Sequence, residues 1–122
     1  MSWNIIEKQK QLPIRFSKRI ELGQQIATFS VFDKQDDGTY KYQTYTLKPA
    51  VLDYDSIVNA IISKEYSNDK MQAIINNYLL DQSNEDTTKE FNDMQAFRKK
   101  AKDWAKDLLN YVKDNKLWIF FD

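Results

Sequence analysis

The sequence predicts an α+β fold, with an N-terminal antiparallel β-hairpin or small sheet packed on three C-terminal helices, the last one long. Three observations lead there. Two runs of β-branched and aromatic residues flank Asp37 and Gly38 in "IATFSVFDKQDDGTYKYQTYTL". After Pro49 the apolar residues recur with helical periodicity through three segments. Strands precede helices, without the alternation that builds a parallel βαβ sheet.

Each element has its own signal. Ala27, Phe29 and Val31 alternate with Thr28 and Ser30, while Tyr40, Tyr42, Thr44 and Thr46 alternate with Lys41, Gln43 and Tyr45. Period-two alternation over 26–32 and 40–47 predicts a hairpin with one covered face, and Asp37-Gly38 supplies a turn that tolerates positive φ. Pro49 has no N–H to give a ladder and should end the second strand. Residues 1–25 carry weak signals, so the β-rich part is expected over 20–48.

The helical part is expected over 53–115. Asp53 can cap a helix over 54–64 whose apolar positions are Ile57, Val58, Ile61 and Ile62. Ser67 opens the next, with Met71, Ile74, Ile75, Tyr78 and Leu79 at i, i+3, i+4, i+7 and i+8. Thr87 and Glu90 have capping-box spacing and mark the third. Its apolar series runs from Phe91 through Met94, Phe97, Ala101, Trp104 and Leu108 to Val112, and Lys99, Lys102, Asp103, Lys106 and Asp107 fill the other side. A helix of about 25 residues spans close to 40 Å, so one end should project beyond the hairpin. Its apolar face, together with the apolar C-terminus, exceeds what a hairpin and two short helices can cover, which predicts self-association or a permanent partner. The apolar segment at 117–122, in "KLWIFFD", reads as a strand beside the hairpin or as one added to a neighbouring subunit.

Composition bounds the chemistry. The 122 residues are 42% apolar and 14% aromatic, enough for a single domain with a real core over 1–122. Eighteen basic and eighteen acidic side chains give no net charge, so nucleic acid is not an expected partner. With no cysteine and no histidine, disulfides, thiol nucleophiles, the common zinc sites and Ser-His-Asp catalysis are excluded for this chain. The lack of cysteine also fits an intracellular origin. No signal peptide and no membrane span are expected, because no stretch approaches the roughly 20 apolar residues a span needs.

Carboxylates cluster at Asp33, Asp36 and Asp37 and at Asp53 and Asp55, where a turn and a helix cap account for them. No catalytic, metal-ligating or cofactor-binding residue stands out, and the expectation is a protein without cofactor that is not an enzyme. The basic run "RKKAK" at 98–102 reads as a solvated, charge-laced helix face. Candidates for partner binding are Asn76 and Asn77, two poor helix formers beside an apolar stripe. Others are the line Phe97, Trp104 and Tyr111 along one edge of the third helix, and Trp118, Ile119, Phe120 and Phe121.

"YSNDKMQAIINNYL", a short polar gap and "EFNDMQAFRKKAKDWA" together resemble a motif of small phage and prophage proteins of Bacteroidetes-type gut bacteria. The resemblance covers roughly 54–105. It implies a virion or tail-module accessory protein, located in the virion or in the host cytoplasm during assembly, whose partners are itself or other phage structural proteins. It brings no catalytic residues. The alternative is a small regulatory module that binds a host protein or nucleic acid through 98–102, and behind it a hydrolase using paired Asp and Glu.

Overall fold

The computed structural model describes residues 7–11 and 15–115. Four antiparallel strands, β1 (Glu7–Gln9), β2 (Phe16–Glu21), β3 (Gln24–Lys34) and β4 (Tyr40–Leu47), precede three helices, α1 (Tyr54–Glu65), α2 (Asn68–Leu80) and α3 (Glu85–Asp114). The sheet order is β1-β4-β3-β2, which places the expected hairpin in the centre and adds an edge strand on each side. The β-rich part thus starts at Glu7 and not near residue 20. The segment 117–122, with Trp118, Ile119, Phe120 and Phe121, lies outside the described residues.

The central β3–β4 pair puts Phe29 opposite Tyr45 and Ala27 opposite Leu47, all four buried on the helix-facing side. Phe29 and Tyr45 stack with ring centres 5.3 Å apart. The loop closes as an Asp37-centred turn. Gly38 takes φ +84°, and Asp37 Oδ1 accepts from the Thr39 N–H and hydroxyl. β2 joins β3 through a two-residue turn, Leu22 and Gly23, both at positive φ. Two such residues match the twist of a tight hairpin, although Leu22 takes that conformation at a steric cost. β4 ends at Leu47, ahead of the cis Lys48–Pro49 peptide, and the Ala50 N–H then bonds the Gln25 carbonyl at 2.8 Å.

Each helix starts on a side-chain cap. Asp53 accepts from the Ser56 N–H at 2.7 Å, and Ser67 from the Lys70 N–H at 3.1 Å. The third cap differs from expectation. Asn84, not Thr87, accepts from the Asp86 and Thr87 N–H groups, and Glu85 and Asp86 occupy the first turn. Two acidic residues at a helix N-terminus complement its dipole, so the helix extends back to the asparagine. At 30 residues α3 is about 45 Å long, and its first buried residue is Met94.

One core joins the layers. Ile57, Val58, Ile61 and Ile62 of α1 and Met94, Phe97, Ala101, Ala105, Leu108 and Val112 of α3 pack with the sheet residues. The central apolar face of α3 is therefore covered, while the apolar C-terminus that the same expectation counted lies outside the described residues. The sheet supplies four strands, the small sheet of the two forms expected, and α1 lies over β4 with Lys64 Nζ 2.9 Å from the Thr44 carbonyl. α2 is the lightly packed element. Only Ile74 is buried in it, and Tyr78 stacks on Phe91 with rings 4.2 Å apart. Leu79, expected in the stripe, is 61% exposed. The end of α2 runs alongside the start of α3, ahead of the first α3 residue that reaches the core.

Candidate functional site

A concavity lies between β3 and α3. Arg15, just ahead of β2, sets its guanidinium 4.8 Å from the ring centre of Tyr111 and 5.4 Å from that of Phe32, and pairs with Asp107 at 2.5 Å. One α3 turn or two away, Lys100 Nζ sits 3.0 Å from Asp33 Oδ1 and 5.4 Å from the Trp104 ring centre. Arg15, Phe32, Lys100, Trp104 and Asp107 wall a groove of about 310 Å³ floored by Val31 and Leu108. Both cations already face a carboxylate. The groove therefore offers aromatic surface and balanced charge, a chemistry closer to that of a protein contact than to that of a phosphate site.

Arg15 was not visible as a site residue in the sequence. Its partners lie on β3 and α3, and no local pattern links residue 15 to Asp107. Trp104, which the sequence singled out, lines this groove, and Tyr111 meets it only through Arg15; both are half-buried. Phe97, the third of that line, is 1% exposed, with its ring 5.7 Å from Tyr66 and 6.3 Å from Trp104. It is core, and a partner has no access to it. Asn76 and Asn77 are exposed on α2, away from the groove, and neither side chain hydrogen-bonds another described residue. Trp118, Ile119, Phe120 and Phe121 lie outside the described residues.

The basic run resolves into individual contacts. Arg98 donates to Gln95, Lys99 lies 3.6 Å from Asp103, and Lys100 reaches Asp33 across to the sheet. Lys99 is solvent-facing as its position on the helix predicts, but Lys100 bridges two layers and is not.

The acidic side chains are occupied locally. Hydrogen bonds from Thr39 hold the Asp37 carboxyl below its usual range, and those from Ser83 do the same for Asp81. The hydrogen bond from Lys89 lowers Asp93, and that from Arg19 lowers Glu21. Burial pushes the Tyr45 hydroxyl far up, with the Glu65 carboxylate adding to the effect, and burial raises Tyr66 likewise. Among the described residues no group of three or more acidic side chains is placed to hold a metal ion. No helix among them is long and apolar enough to cross a membrane.

Among the described residues, large apolar side chains are uncovered in three places outside the groove, one of them Val51, 44% exposed between β4 and α1. Ile20 and Leu22, 73% and 102% exposed, lie at the β2–β3 turn, and Leu79 and Leu80 end α2, with Leu80 84% exposed. What the fold defines is thus a two-layer α+β protein with exposed apolar positions at the tip of a hairpin and at the end of a helix. No family model matches the chain, and comparison with curated proteins and with solved structures gives no significant match.

Proposed function

We propose that this chain is a non-enzymatic structural or assembly protein that works by binding other proteins, in the setting of a phage or prophage. The observation that carries the binding role is where the apolar surface is left. The fold buries the widest apolar face it has, that of α3, yet leaves Ile20, Leu22, Leu79 and Leu80 in solvent. Exposed leucine and isoleucine at a hairpin tip and a helix end cost solubility, and contact with another protein removes that cost. The setting, and with it a location in the virion or in the host cytoplasm during assembly, is proposed on the resemblance of residues 54–105 to small phage proteins alone. Two of the four cations of the 98–102 run, Lys99 and Lys100, pair with Asp103 and Asp33, which lowers the charge the run offers a phosphate backbone and supports protein partners over nucleic acid.

Particles induced from the organism that carries the gene test this. Mass spectrometry should find the chain in purified particles or assembly intermediates at a fixed ratio to their structural proteins. Its absence from both, or salt-dependent retention on DNA instead, would overturn the proposal.

A further inference from the structure

We propose that α2 is a hinged strap: it opens as a unit while the sheet, α1 and residues 94–112 of α3 stay folded, and so bares the side chains it covers. The opening stands on observations independent of the protein-binding role above.

The first observation is how weakly the helix would hold by itself. An isolated helix of about 12–15 residues is marginal in water, and α2 has 13. Ile74, Ile75, Asn76 and Asn77, in its middle, all rank below Leu, Lys and Glu as helix formers. Ser67 and Asp69 favour its first turn, but its other end lacks support. Lys64 and Lys113 stand in the last turns of α1 and α3, whereas α2 has no basic residue there and closes on Asp81. A carboxylate beside the negative end of the helix dipole is unfavourable. α2 therefore depends on tertiary contact.

The second observation is how little of that contact there is. α1 buries five residues and α3 six, but α2 buries Ile74 alone. Its main neighbour is α3. Tyr78 stacks on Phe91, which precedes the first buried residue of α3, Met94. At the other end Lys70 Nζ lies 5.0 Å from the ring centre of Tyr66. Opening thus frees one buried side chain, one ring stack and one cation–ring contact, and leaves the rest of the core in place. Hinges stand at both ends. Tyr66 and Ser67 are extended between α1 and α2, and residues 81–84 join α2 to α3 without a buried side chain. The open form presents the Phe91 face that Tyr78 covers and the Tyr66 ring beneath Lys70.

Native-state hydrogen exchange of the full chain, read by mass spectrometry, tests the strap. Amides of 70–80 should be protected roughly a hundredfold less than those of 101–112, and their exchange should respond more weakly to low urea, because opening exposes less surface than unfolding. Two substitutions separate the strap from the body. Val112→Ala creates a cavity at a position 1% exposed, so it should speed exchange of 101–112 about tenfold or more and leave 70–80 unchanged. Tyr78→Ala removes the stack from the closed form only, and should speed both segments, 70–80 by about tenfold or more. Equal protection of the two segments in the parent would overturn the inference. So would a Val112→Ala protein in which both speed up together, or a Tyr78→Ala protein in which 70–80 exchanges like the parent. The protein-binding role is tested in particles and is untouched by any of these results.

Discussion

Truncating Phe97 to alanine separates a core aromatic from a surface one. The ring is 1% exposed and lies between Tyr66 and Trp104, 5.7 and 6.3 Å away. Its neighbours belong to α3 and to the residue that ends α1, so they cannot close on the space without moving a helix. Removing a buried phenylalanine costs about 3–5 kcal/mol, and the upper half applies where a cavity cannot collapse. Two aromatic contacts are also lost, each worth roughly 0.5–1.5 kcal/mol beyond burial. A loss near 4 kcal/mol is therefore expected, a large part of the about 5–15 kcal/mol that holds a typical domain folded. Urea denaturation followed by circular dichroism measures it, with the denaturant slope checked for constancy. Asn76→Ala is the counterpart on the same scale. Exposed and without a hydrogen bond to a described residue, Asn76 should gain the protein a few tenths of a kcal/mol in helix propensity when replaced. A Phe97→Ala loss under about 1 kcal/mol, with an unchanged slope, would refute the placement of this ring in the core.

Arg15→Ala should cost about 1–2 kcal/mol by thermal or urea melting, the sum of two partly exposed ring contacts and one ion pair discounted for solvent. Asp107→Ala should cost less, and equal losses would mean the rings contribute nothing. Lys99→Glu should stay within about half a kcal/mol, whereas Lys100→Glu should cost roughly 1 kcal/mol or more by setting a carboxylate against Asp33; indistinguishable melts would disprove the bridge to the sheet. Leu22→Asn should raise stability by about 1 kcal/mol, because Leu22 holds φ +52° in a turn that asparagine enters readily, and a lowered melting point would show that Leu22 makes a contact of its own. Tyr45 and Tyr66 ionise less readily folded than unfolded, so their contribution is complete below the ordinary tyrosine value of 10.0 and is lost as pH rises beyond it. The urea midpoint should fall between pH 9 and about 11, and should fall less in Tyr45→Phe.

The hairpin and the three helices were legible because each announces itself locally, by period and by cap. β2 does so weakly. Phe16, Lys18 and Ile20 share the face that alternates, but the middle one is charged, and the turn beyond them carries Leu22 where asparagine would have signalled a hairpin. β1 is three residues long, too short for any pattern. The N-terminus of α3 was misplaced because two caps compete within a few residues, and Asn84 wins by giving Glu85 and Asp86 a place in the first turn. For the candidate sites the limit was distance along the chain. Arg15 with Asp107 and Lys100 with Asp33 meet only through the fold, and a charge run read by itself cannot show which of its members reaches another layer. Helical phase placed Phe97, Trp104 and Tyr111 on one edge of α3 correctly, yet it could not tell that the first is sealed while the others border a groove.

The two asparagines of α2 can now be weighed against what the fold asks of them. α2 is capped by Ser67, anchored by Ile74 and held to α3 by the Tyr78–Phe91 stack, and none of these uses Asn76 or Asn77. Lysine or glutamate at either position would serve a solvent-facing helix better, by several tenths of a kcal/mol in propensity. A lysine at 77 would also permit an i, i+4 ion pair with Asp81, of the kind α3 makes. The monomer therefore carries a small cost at both sites, in the element with the least burial to offset it. A neutral amide recovers that cost where a charge would be stranded, against the apolar edge of another helix. The same surface ends on Leu79 and Leu80, which the monomer also leaves uncovered. Poor helix formers and exposed leucines thus sit together on α2, and none of the contacts that hold α2 in the described fold covers either.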